Sequence, residues 1–281
     1  MAKNSGSGGP DRRPTRDERR EEARRQRAEI QRRNARRARN RKIALAGVVV
    51  VALTLVGVLV LTSLGSGGTP GVPSAATLLS QASAADKTAG CSAVQTTQPY
   101  EPKKLDVQTV PNTTGTPVEL DHAHIGGAGG PVSVPSLSTY PTVPPASGPH
   151  NPTTLPKGVY ASAPPIDQAI HSLEHGAAII WYDPSAAGPA LTRLLDFYRQ
   201  PTSDVNIGQD KLIVAPYSYP SQGAAGKLPT GVQMALVAWH RLQTCTEVNL
   251  AAAFNFTARY EAPTYGGLKY LGEAREPGLG I

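Results

Sequence analysis

The sequence predicts an α+β domain held outside a membrane by a single N-terminal span. Three observations predict it: one long uncharged apolar run near the N-terminus, a later alternation of short helical and strand segments, and 28 glycines with 26 prolines, which argue against a compact all-helical chain. The alternation makes α/β the nearest rival class.

The apolar run comes first. Ile43 to Leu61 reads IALAGVVVVALTLVGVLVL, with Thr54 its only polar side chain. At ~1.5 Å per residue it reaches roughly 28 Å, the thickness of a bilayer hydrocarbon core. A cleaved signal peptide would have a shorter apolar region behind a short basic stretch, whereas 42 residues precede this run. The expected span is 43–62. Thr88-Ala89-Gly90-Cys91 resembles a lipoprotein cleavage box, but it lies far from the run and follows Asp86 and Lys87.

Charge sets the orientation. Residues 1–42 hold 16 of the 28 Lys/Arg and 6 of the 21 Asp/Glu, leaving 12 and 15 for the remainder, so the net +7 belongs to the head alone. Basic residues flanking a span stay cytoplasmic. Arg32, Arg33, Arg36, Arg37, Arg39, Arg41 and Lys42 flank it on the N-terminal side, and the next basic residue is Lys87. The head, 1–42, is therefore a cytoplasmic basic arm, with Glu21/Arg25 and Glu29/Arg33 at helical spacing. It suits an anionic lipid surface. It lacks the interleaved aromatics that stack on bases, so nucleic acid is not expected as a partner.

After the span, 63–89 reads as a flexible Gly/Ser/Pro-rich linker, 90–260 as the extracytoplasmic domain and 261–281 as a C-terminal tail. Cys91 and Cys245, on the oxidising side, are expected to pair, with two free or metal-bound thiols as the alternative. By loss of chain entropy, closing a 154-residue loop stabilises by at most ~5 kcal/mol.

Within the domain, Leu105 to Pro165 is too rich in Pro and Gly for long helices. Helices are expected over 166–175, with Asp167 as N-cap and Gly176 after the C-terminus, and over 191–199 and 250–260. Strands are expected over 177–182, 211–215 and 233–241.

All six histidines, His122, His124, His150, His171, His175 and His240, follow the span. On a helix, Ile166, Ile170 and Leu173 share one face while His171, Glu174 and His175 share the next. Histidines at i and i+4 can bind one metal ion. The expected metal set is His150, His171 and His175, completed by His124 or Glu174, with zinc or copper as the ion that imidazole and carboxylate suit. His171-Ser172-Leu173-Glu174-His175 also fits the H-x-x-E-H pattern of zinc peptidases, with Glu174 as general base and Glu247 as a downstream ligand. Alternatively the histidines are structural, and the domain is a non-catalytic module that binds an envelope protein or cell-wall partner.

Pro144-Pro145-Ala146-Ser147-Gly148-Pro149-His150, then Gly158-Val159-Tyr160, then His171-Ser172-Leu173-Glu174-His175-Gly176 with a strand ending Trp181-Tyr182, then Ala215-Pro216 and Ala238-Trp239, resemble the bacterial domain-of-unknown-function family 3105. The likeness covers roughly 90–260 and extends to His124-Ile125 and to the placing of the two cysteines. His240 departs from it, standing where the family has Gly. The resemblance implies a membrane-tethered envelope domain with a His-rich signature, and no reaction.

Overall fold

A computed structural model describes residues 73–101, 108–116, 118–200 and 210–281. The basic arm and the expected span 43–62 lie outside the described residues. Among the described residues no helix is long and apolar enough to cross a membrane.

Val72–Ile281 forms one compact unit around a six-stranded mixed sheet, consistent with the α+β class. The strands are β1 (Gln95–Thr96), β2 (Gly158–Val159), β3 (Ala178–Tyr182), β4 (Leu212–Pro216), β5 (Met234–Ala238) and β6 (Arg241–Cys245). Their order is β1-β6-β5-β3-β4-β2. β2, β4 and β3 run parallel to one another, and β3, β5, β6 and β1 pair antiparallel. The central strands read as unbroken apolar runs because both faces are covered. Ile180, Val214 and Leu236 point into one core, while Ile179, Trp181, Ile213 and Val237 point into the other, as the two-residue period of a strand requires.

The expected strand over 233–241 is two strands joined through Trp239 and His240. His240 sits at φ 55°, a left-handed backbone that glycine adopts without strain. The Gly expected there from the family resemblance has a physical reason in this turn.

Three helices cover the first face: α1 (Ala75–Thr88), α3 (Pro189–Arg199), which joins β3 to β4, and α4 (Leu250–Tyr260). A fourth, α2 (Ile166–Glu174), lies on the second. Helix α1 corrects the expectation of a flexible linker for 75–88, while 63–72 lies outside the described residues. Ser74 caps it by accepting from Thr77 N, and its small buried face of Ala75, Ala82 and Ala85 lets it pack closely on the alanine-rich α4. Leu78, 2 % exposed, stabilises that contact by about 2 kcal/mol. The serines and glycines upstream hid this helix, whose anchor is tertiary rather than local.

The Cys91–Cys245 disulfide is present and joins the chain just after α1 to the end of β6. Ala89 O beside it accepts from Thr246 N and Glu247 N. The C-terminal residues also depart from the expected tail. Ala262 N donates to Gly176 O, Leu271 N to Arg259 O and Glu276 N to Glu174 O, so the segment packs over the end of α2.

Candidate metal centre

The second face of the sheet carries α2 and the Pro/Gly-rich loops, and there the histidines meet. Two loops supply the framework. His124 and His150 form a parallel bridge in which His150 N donates to Ala123 O (3.1 Å) and Ile125 N to His150 O (2.8 Å). Asp121 ties the same loops together. Its buried carboxylate accepts from Tyr100 N (2.6 Å), Ser147 Oγ (2.6 Å) and His240 Nε2 (2.7 Å). Burial pushes the Asp121 carboxyl up, but the bonds from His240, Ser147 and Tyr100 N outweigh it and hold it below the ordinary value.

Each residue of Ser147-Gly148-Pro149-His150 has a task. Ser147 binds Asp121. Gly148, at φ 121°, leaves room for the Tyr140 ring, which a Cβ would approach to 2.6 Å. Pro149 O accepts from Tyr140 Oη (2.6 Å). His150 Nδ1 donates to Gly148 O (2.8 Å), which leaves Nε2 to face inward.

His171 and Glu174 come from α2. Ile170 and Leu173 seat the helix on the core, and Ser172 Oγ holds it to the loop by accepting from Leu155 N (2.8 Å) and donating to Leu155 O (2.9 Å). Asp167 lies in the first turn but does not cap; Pro165 occupies the cap position, and the Asp167 carboxylate accepts from Asn151 Nδ2 (3.0 Å) instead. Gly176, at φ 90°, follows the helix as expected.

One ligand atom from each of His124, His150, His171 and Glu174 lies within 4.8 Å of the others. His150 Nε2 is 3.0 Å from Glu174 Oε2 but lacks the alignment of a hydrogen bond, and His171 Nδ1 is likewise buried without a partner. Leaving a buried polar atom unpaired costs about 1–3 kcal/mol. Burial and the neighbouring rings of His150, His175 and His124 push the His171 imidazole down to about 4, against a weaker opposing bond with the Asn151 backbone. Burial, then His150, lowers His124 too. Burial pushes the Glu174 carboxyl up, but the neighbouring histidines, His150 first, bring it below its usual value. At neutral pH His124 and His171 are therefore neutral imidazoles and Glu174 is a carboxylate, the forms that bind metal. His124 is exposed and the other three are buried, so the site opens to solvent at His124.

The structure places His175 elsewhere. It caps α2, its Nδ1 donates to Gly280 O (2.7 Å), and its Nε2 lies 3.2 Å from Glu276 Oε2. Its ring is edge-on to His171 at 4.5 Å, yet both nitrogens face the C-terminal segment. The downstream Glu247 is exposed beside Ala89. Thus His171 and Glu174 of the H-x-x-E-H spacing enter the cluster, whereas His175 and Glu247 do not. Asp121 and His240 were missed as a site-building pair, since 119 positions separate them.

Residues 134–269 match the model of a family described as a protein of unknown function, DUF3105. This part of the chain belongs to DUF3105. No curated protein and no solved structure matches the chain. The DUF3105 segment contains His150, His171, Glu174 and His240, while Cys91, Asp121, His122, His124 and Glu276 lie outside it. The cluster is thus assembled across the family boundary, with its exposed ligand supplied from before the DUF3105 segment.

Proposed function

We propose that this DUF3105 protein is a membrane-anchored metal-binding protein of the cell envelope, holding one zinc or copper(II) ion between His124, His150, His171 and Glu174. The observation that carries the reading is the gathering of one ligand atom from each of His124, His150, His171 and Glu174 within 4.8 Å of one another, with His150 Nε2 and His171 Nδ1 both buried and without a hydrogen-bond partner. An ion there supplies the partner both nitrogens lack. The Gly148 carbonyl behind His150 is the kind of outer hydrogen bond that fixes a metal-ligating imidazole. A tetrahedral shell with bonds of about 2.0–2.1 Å sets its donors roughly 3.4 Å apart, so binding draws the four side chains inward from their present spacing.

Three features support the anchoring. The uncharged run 43–62 has the length of a span, the basic flank lies on its N-terminal side, and the Cys91–Cys245 disulfide fits an oxidising compartment. In this reading the head lies on the anionic cytoplasmic leaflet.

The test is elemental analysis of the full-length chain, purified without a His tag, before and after incubation with zinc or copper(II). About one ion per chain supports the reading. A chain that stays metal-free in both ions overturns it and leaves the histidines as structural parts of an envelope interaction module.

A further inference from the structure

Building on the metal reading above, we propose that His122 is a capture ligand, which takes a divalent cation from solvent and passes it to the buried set. His122 stands two residues before His124 on the same loop. Its side chain is 32 % exposed, against 6 % for Glu174 and 0 % for His150. Its Nε2 lies 3.1 Å from Glu119 Oε2, and Arg275 Nη1 donates to that same oxygen (3.1 Å). A carboxylate behind an imidazole orients the other ring nitrogen toward a metal. Here that nitrogen, Nδ1, faces Glu174 Oε1 at 3.9 Å.

The two oxygens of Glu174 thus face different histidines: Oε1 toward the half-exposed His122 and Oε2 toward the buried His150. A gap of 3.9 Å between a nitrogen and an oxygen donor accommodates a cation with two bonds of about 2.1 Å at a wide angle. The ion moves from the outer to the inner position by shifting from one oxygen of Glu174 to the other. It exchanges part of its hydration shell at the rim, before it reaches the buried nitrogens. Glu276, near His175 and His124, adds a second carboxylate to the rim and favours cations there.

The test is stopped-flow mixing of the full chain with copper(II), followed by quenching of tryptophan emission. Trp239 stands edge-on to His150 at 6.1 Å and reports arrival at the inner site. Release is followed by competition with a strong chelator, and equilibrium binding is measured first. His122→Ala slows loading and release together, each by about tenfold, with the Kd and the one-ion stoichiometry unchanged. Glu119→Gln, which keeps the imidazole but loosens its orientation, shifts both rates the same way and less. An unchanged loading rate overturns the proposal, including when the melting temperature falls, since that outcome makes His122 a structural residue. A weakened Kd with faster release also overturns it, by making His122 a resident ligand. Failure of the wild-type chain to bind copper or zinc at equilibrium is a separate result, and it removes the metal reading itself.

Discussion

His150 Nε2 lies 3.0 Å from Glu174 Oε2 while Nδ1 of the same ring donates to Gly148 O at 2.8 Å. The Gly148 carbonyl thereby fixes the His150 ring with Nε2 turned toward the carboxylate.

The four-residue set predicts which histidines matter for metal. His150→Ala and His171→Ala each abolish stoichiometric binding. His175→Ala keeps one ion per chain and weakens it by at most about 10–100-fold, the effect of an outer residue. Elemental analysis and competition titration of the variants check this. Loss of the ion in His175→Ala with retention in His150→Ala would restore the H-x-x-E-H arrangement.

Asp121 predicts an acid limb in stability. Its folded-state pKa lies below the ordinary carboxylate value, so its contribution is fully present above the unfolded pKa of about 3.9 and is lost as pH falls through the folded value. Asp121→Asn, which keeps the shape but loses the charge, is expected to cost about 1.5–3 kcal/mol at pH 6, from the charged hydrogen bonds. The difference from wild type shrinks toward pH 3. Urea midpoints across that range measure it.

Glu261 predicts the opposite slope. Its side chain is fully buried, Oε1 accepts from Lys211 N (2.7 Å) and Oε2 has no partner. Burial raises its carboxyl well above the usual range, despite the Lys211 backbone bond. The folded state favours the protonated form, so this contribution is present below the unfolded pKa and is lost as pH rises through the folded one. Glu261→Gln keeps the acceptor and removes the titration. It is expected to match wild type near pH 4 and to exceed it in melting temperature at pH 8.

Gly148→Ala tests the loop that presents His150. The residue sits at φ 121°, and its new Cβ would meet the Tyr140 ring at 2.6 Å. The expected cost is about 1–3 kcal/mol, accompanied by weaker metal binding because Gly148 O orients His150. Thermal melts with and without zinc separate the two effects.

Helices α2, α3 and α4 and the strands β3 and β4 were legible because their apolar runs and Gly/Pro breakers lie within a few residues of one another. Helix α1 was not, since Leu78, Ala82 and Ala85 make a narrow apolar face that becomes a helix only against α4. The single strand expected over 233–241 divides because His240 takes a backbone that its residue type does not advertise.

By itself the chemistry of the chain pointed to a disulfide-closed domain with histidines and Glu174 sharing one helix face, because that spacing is written into contiguous residues. Only the tertiary structure decided the membership of the cluster. His175 lies on the same helix as His171, but the carbonyl of Gly280 and the carboxylate of Glu276 draw it aside. His124 enters because its loop pairs backbone to backbone with His150. Both outcomes depend on hydrogen bonds between segments tens to a hundred residues apart, and no local pattern carries them.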